Sequence, residues 1–159
     1  DWQILLLDSH VEDEVAGLVS QSELTWLATA LLEHPEKHAA IFVHHPLLPV
    51  GCDWLDPQRI ANAEQLLTLF DNTPQLRFVC NGHVHQDTTE TRLHYQLLST
   101  PSTCIQFKEN SADYAEDDLP PGYRRFTLHA DGRFDTEIIR VGELVRVVGA
   151  PRGYSSDYD

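Results

Sequence analysis

Three short apolar runs, at residues 2–8, 39–43 and 76–80, are separated by two amphipathic stretches, and that spacing leaves few folds open to the chain. Trp2-Gln3-Ile4-Leu5-Leu6-Leu7-Asp8 is nearly all apolar, as expected of a strand covered on both faces. Ser20-Gln21-Ser22-Glu23 is a capping box. It opens a helix in which Leu24, Leu27, Ala28 and Leu31 recur at i, i+3, i+4 and i+7, ending before Pro35. Residues 39–43 read as the second buried strand. Asp56-Pro57 starts a second helix with Ile60, Ala63, Leu67 and Phe70 inward, and residues 76–80 form the third strand. A βαβαβ order with apolar strands is the signature of a parallel sheet, so the fold class is α/β. After residue 85 the pattern changes to alternation. Residues 88–98 read as a hairpin, and residues 123–128 turn through Asp131-Gly132 into residues 134–138, so the second half is expected to be antiparallel. With 159 residues and 42% hydrophobic content, one domain over residues 1–148 is expected, followed by a polar segment, 149–159, that should fray.

Two histidine motifs close the second and third strands: Val43-His44-His45-Pro46 and Gly82-His83-Val84-His85. Imidazoles at the carboxyl ends of neighbouring parallel strands face one crevice, where open α/β sheets place their ligands. A single histidine near a strand end is most often a hydrogen-bonded polar residue, but two such motifs together point to a metal site. Nitrogen donors suit zinc, iron, manganese or nickel, and a pair one residue apart suits two metals, or one metal and a substrate oxygen. The formal net charge of -14, from 25 acidic and 11 basic residues, excludes a basic nucleic-acid groove and a polybasic membrane patch. An anionic substrate therefore needs bound metal to attract it. Cys52, Cys80 and Cys104 are an odd set without C-x-x-C spacing, as expected of reduced thiols in the cytoplasm. No apolar run spans a bilayer, and the acidic start at Asp1 is unlike a signal peptide. The acidic stretch at residues 110–122, with Glu116-Asp117-Asp118, lacks the glycine and terminal glutamate of a calcium loop and reads as a solvated connection.

The motifs Val43-His44-His45-Pro46-Leu47-Leu48-Pro49, Asn81-Gly82-His83-Val84-His85-Gln86 and Thr100-Pro101-Ser102-Thr103-Cys104, in that order, resemble the carboxyl-terminal half of calcineurin-like metallophosphoesterases. Among these the chain is similar to bacterial 3′,5′-cyclic AMP phosphodiesterases, a likeness that takes in Gly51-Cys52-Asp53-Trp54-Leu55-Asp56 and Leu128-His129-Ala130-Asp131-Gly132. The resemblance implies an α+β sandwich and two metal ions, iron with manganese, or zinc as an alternative. It also implies a cyclic nucleotide as substrate, hydrolysed to 5′-AMP. It makes His44 and His83 ligands of one metal and His85 a ligand of the other, with a substrate contact for His83. His45 has no ligand role to inherit and is expected to support its neighbours or pack. Other phosphodiesters or phosphomonoesters, and a non-catalytic binding module of the same fold, remain open.

The chain departs from the family upstream of His44. The signals D-x-H, G-D and G-N-H-[DE], which supply a bridging aspartate, further ligands and the asparagine and histidine that act on phosphate, are missing there. Asp8-Ser9-His10 looks like D-x-H but sits too late in the family order, immediately before the helix leading to His44. It is expected to be an ordinary strand end and loop. The reading is therefore a partial fold, inactive alone and without a catalytic residue of its own, whose uncovered apolar surface favours a homodimer.

Overall fold

A computed structural model describes residues 1–142. The segment expected to fray, and the expected domain limit at residue 148, lie outside the described residues. Along the chain run β1 (Trp2–Leu7), α1 (Gln21–Glu33), β2 (His38–Val43), a 3-10 turn (Asp56–Gln58), α2 (Ala63–Asp71), β3 (Leu76–Asn81), β4 (Thr89–Arg92), β5 (Tyr95–Ser99), β6 (Gln106–Phe107), β7 (Glu116–Asp117), β8 (Gly122–Leu128) and β9 (Phe134–Arg140). No described helix is long and apolar enough to cross a membrane.

The main sheet has the order β1-β2-β3-β5-β4. β1, β2 and β3 are parallel, as the sequence pattern predicts. β5 also lies parallel to β3, and only β4 runs antiparallel, paired with β5. The expectation of a wholly antiparallel second half is corrected on this point. Tyr95-Gln96-Leu97-Leu98-Ser99 is apolar enough to join the buried sheet, and β4 takes the edge.

One face of the sheet packs on α1 and α2 through Leu5, Leu27, Ile41, Leu66, Phe70 and Leu76. The other is covered by the β8–β9 hairpin, whose Phe126 stacks on Phe78 of β3 at 4.6 Å and 3°. The hairpin does not reach all of β1. Trp2 is held there by a hydrogen bond to the His129 carbonyl, but Ile4 remains 47% and Leu6 72% exposed, so the second face of β1 is covered only at its start. An apolar run reports what a strand prefers to touch, not whether a neighbour is present to touch it.

Ser20 caps α1 by accepting from the Glu23 backbone N–H at 3.2 Å. The Glu23 carboxylate does not close the reciprocal half of the capping box. It accepts instead from the backbone N–H of Asp8 at 2.6 Å, tying the helix start to the end of β1. The second expected helix is divided, with the turn at Asp56–Gln58 separated from α2 by residues 59–62. Ile60 is used there for an isolated bridge to Gly17. The acidic stretch is likewise only partly a loop, because Glu116–Asp117 pairs with Gln106–Phe107.

Candidate metal centre

The register of β2 and β3 places Val43 opposite Asn81, so the residues that follow leave the sheet side by side. The Gly82 N–H donates to the His44 carbonyl at 3.1 Å, extending the pairing beyond the strands. His83 and His85 both take left-handed backbone conformations, with φ of 53° and 51°. Non-glycine residues pay about 1–2 kcal/mol for this geometry, and such strain concentrates at functional sites. Val84 between them is fully buried and packs with Cys52, Leu55 and Phe107, which anchors the turn.

His83 Nδ1 lies 3.2 Å from His44 Nε2. Metal–nitrogen bonds are about 2.0–2.1 Å, so two nitrogens at this separation can share one ion. The other ring nitrogen of His83, Nε2, is 2.8 Å from Gln58 Oε1. His45 completes a group of three imidazoles with ligand atoms within 4.8 Å of one another, and no carboxylate belongs to that group.

His45 is nevertheless engaged at both ring nitrogens. Its Nε2 is 3.0 Å from the Val15 carbonyl, which can only accept, so Nε2 carries the proton. Nδ1 then accepts from the Ser9 hydroxyl at 2.8 Å. Gly17 lies against the ring, where a Cβ would stand 2.6 Å from His45 Cγ and Nδ1. His45 is thus a seated neighbour of the cluster, in the supporting position the sequence suggests.

His85 stands outside the group of three. Its ring stacks on Phe107 at 4.2 Å and 8°, and its buried Nδ1 has no hydrogen-bond partner among the described residues. The ring also lies close enough to the Ile105 backbone to feel it, and a buried imidazole nitrogen without a good hydrogen bond is the kind of donor a cation can use. Burial lowers the pKa of His44, His45 and His85. The same cause, with the neighbouring imidazoles, lowers His83 to about 4. Each shift favours the neutral imidazole, the form that binds metal. By donor type and spacing His44 and His83 could hold a transition metal, and His85 offers the same donor type from outside the group of three. A cleft of about 300 Å³, lined by Leu6, Phe42, His44, Asn81, Gly82 and Thr100, opens beside it.

Asp8 and His10 play no part in the cluster. They form a local turn in which Asp8 Oδ1 accepts from the His10 N–H at 2.8 Å, and both are exposed. The sequence reading missed Ser9, Val15, Gly17 and Gln58, none of which carries a local signal. Ser9 lies 36 residues from His45 and Gln58 lies 25 from His83.

No family model matches the chain. It is 41% identical over 142 residues to the 3′,5′-cyclic adenosine monophosphate phosphodiesterase CpdA of Escherichia coli K12, covering 89% of this chain and 52% of that protein. To CpdA of Pseudomonas aeruginosa it is 38% identical over 159 residues, covering 100% and 56% respectively. To a 3′,5′-cyclic-nucleotide phosphodiesterase of a Nostoc species it is 38% identical over 141 residues, covering 89% and 53%. The chain spans about half the length of these curated relatives. Among solved structures it resembles a dimetal phosphatase of Danio rerio, with a TM-score of 0.51 and 19% identity, covering 78% of this chain and 39% of the other. That likeness shows a fold shared with the dimetal phosphatase.

Proposed function

We infer that this chain, a relative of the bacterial cyclic-nucleotide phosphodiesterases, is the histidine-bearing half of a dinuclear-metal phosphodiesterase that hydrolyses 3′,5′-cyclic AMP to 5′-AMP. The observation that carries this reading is the 3.2 Å approach of His44 Nε2 to His83 Nδ1 beyond two parallel strands. In this reading His44 and His83 hold one ion and His85 the other, with iron and manganese as the expected pair. When bound, such ions neutralise charge on phosphate oxygens and supply a nucleophilic water near neutral pH.

The chain's own residues prepare that chemistry. Burial disfavours the charged imidazoles, Ser9 and Val15 hold His45 beside His44 and His83, and the turn carrying His83 and His85 takes two left-handed backbone conformations. In this reading His83 also contacts the phosphate. Among the described residues no carboxylate joins the cluster, which supports an incomplete centre, because a dinuclear site needs a bridging anion. The exposed Ile4 and Leu6 support self-association of the isolated chain.

The test is hydrolysis of cyclic AMP with iron and manganese. The product of the complete open reading frame around this sequence should be active, and residues 1–159 alone should be inactive. Robust turnover by residues 1–159 would remove the incomplete centre. Failure of the complete, metal-loaded product on cyclic AMP, with turnover of another phosphoester, would remove the substrate.

A further inference from the structure

We propose that Gln58 is a positioning residue that locks His83 in the tautomer with a proton on Nε2 and a bare lone pair on Nδ1; this rests on the reading of His83 as a metal ligand. The side-chain amide of Gln58 touches two groups. Its nitrogen is 2.9 Å from the Trp54 carbonyl and its oxygen is 2.8 Å from His83 Nε2. A carbonyl can only accept, so Trp54 fixes which end of the amide carries the N–H groups. The end left facing His83 is an acceptor. His83 must therefore donate from Nε2, and its lone pair is forced onto Nδ1, the nitrogen that lies 3.2 Å from His44 Nε2. A hydrogen bond at one ring nitrogen that decides what the other can bind is the usual way a protein orients a ligating imidazole.

Gln58 is itself rigidly placed. It ends the 3-10 turn at Asp56–Gln58, where Pro57 presets the backbone and the Gln58 N–H donates to the Leu55 carbonyl at 2.9 Å. Asp56 accepts from the backbone N–H groups of Val50 at 2.7 Å and Gly51 at 3.3 Å. Trp54, the residue that orients the amide, also packs edge-on against Phe107 at 4.9 Å, and Phe107 carries His85 on its ring. One loop thus bears on both histidines of Gly82-His83-Val84-His85, by a hydrogen bond to the first and through an aromatic contact to the second. This gives a task to Gly51-Cys52-Asp53-Trp54-Leu55-Asp56, which contributes no side chain to the cluster.

The experiment reads the tautomer directly, by long-range ¹H–¹⁵N correlation of the imidazole in the metal-free product of the complete open reading frame, alongside calorimetric titration of that protein with Mn²⁺. Wild type should show His83 protonated at Nε2 and bare at Nδ1. Gln58→Met, which keeps the volume and removes the acceptor, should give a mixture of tautomers and weaken Mn²⁺ binding by about 10- to 100-fold. Gln58→Glu, whose carboxylate still accepts from Nε2 although it gives up the N–H to the Trp54 carbonyl, should keep the Nε2-protonated tautomer and bind Mn²⁺ more tightly than Gln58→Met. A wild-type His83 protonated at Nδ1, an unchanged tautomer in Gln58→Met, or a Gln58→Glu that behaves like Gln58→Met would each overturn the proposal. If the tautomers respond as expected but wild type binds no Mn²⁺, the positioning of His83 stands and the metal-site reading falls.

Discussion

His83 Nδ1 and His44 Nε2 lie 3.2 Å apart although 39 residues separate them in sequence. The contact is made by β2 and β3, whose parallel register brings Val43 beside Asn81 and lets both chains leave the sheet at the same edge. Two imidazoles at this distance can share one proton in a hydrogen bond, and in the proposed reading the same two nitrogens hold a cation instead.

The first prediction separates the cluster from its look-alike. In the metal-loaded protein, His83→Ala or His85→Ala should reduce bound metal by at least the 10- to 100-fold typical of losing a ligand's supporting partner, whereas His10→Ala should change little. His10 is exposed, its backbone N–H is held by Asp8 within its own turn, and its side chain bears on the cluster only by disfavouring a charge on His45. Metal content by mass spectrometry decides it, and a His10→Ala protein as depleted as His85→Ala would make Asp8-Ser9-His10 a true ligand motif.

The seat of His45 should be intolerant of even one methyl group. In Gly17→Ala the new Cβ would stand 2.6 Å from the imidazole, and the ring must leave Ser9 or the loop must shift. A loss of about 1–3 kcal/mol in urea denaturation is expected, the usual cost of overpacking. A midpoint equal to wild type would show that the seat is loose.

Cys80 should make stability fall in alkali. Burial raises its thiol pKa from 9.0 to about 11, against a smaller opposing pull from Arg124. A raised pKa means that folding favours the protonated form, so this contribution is complete below about pH 9 and is lost as pH rises through 11. The loss should be on the order of 2 kcal/mol and absent from Cys80→Ala, measured as unfolding free energy against pH. In the native protein a thiol reagent at neutral pH should modify Cys104, which is exposed, and spare the buried Cys52 and Cys80.

The open face of β1 should drive association of the isolated chain. Leu6 is 72% exposed beside Ile4 at 47%. Sedimentation should find a dimer for wild type and a monomer for Leu6→Lys, and a wild-type monomer at all concentrations would remove the homodimer from the reading.

Much of the fold was already written locally. Apolar runs at strand length, the Ser20 cap and the Asp131-Gly132 turn each act over a few residues, so the parallel core, α1 and the β8–β9 hairpin follow from neighbours in sequence. His44, His83 and His85 were singled out in the same way, because each motif closes an apolar run. Tertiary structure decided what depends on distant partners. It placed β5 parallel to β3, left Leu6 uncovered, diverted Glu23 from its own helix to Asp8, and divided the second helix where Ile60 bridges Gly17. It also set the protonation of the site. The sequence can say that an imidazole stands at a strand end, but which of its nitrogens is bare depends on an acceptor such as the Gln58 carbonyl or the Val15 backbone, brought in by the folding of a separate loop.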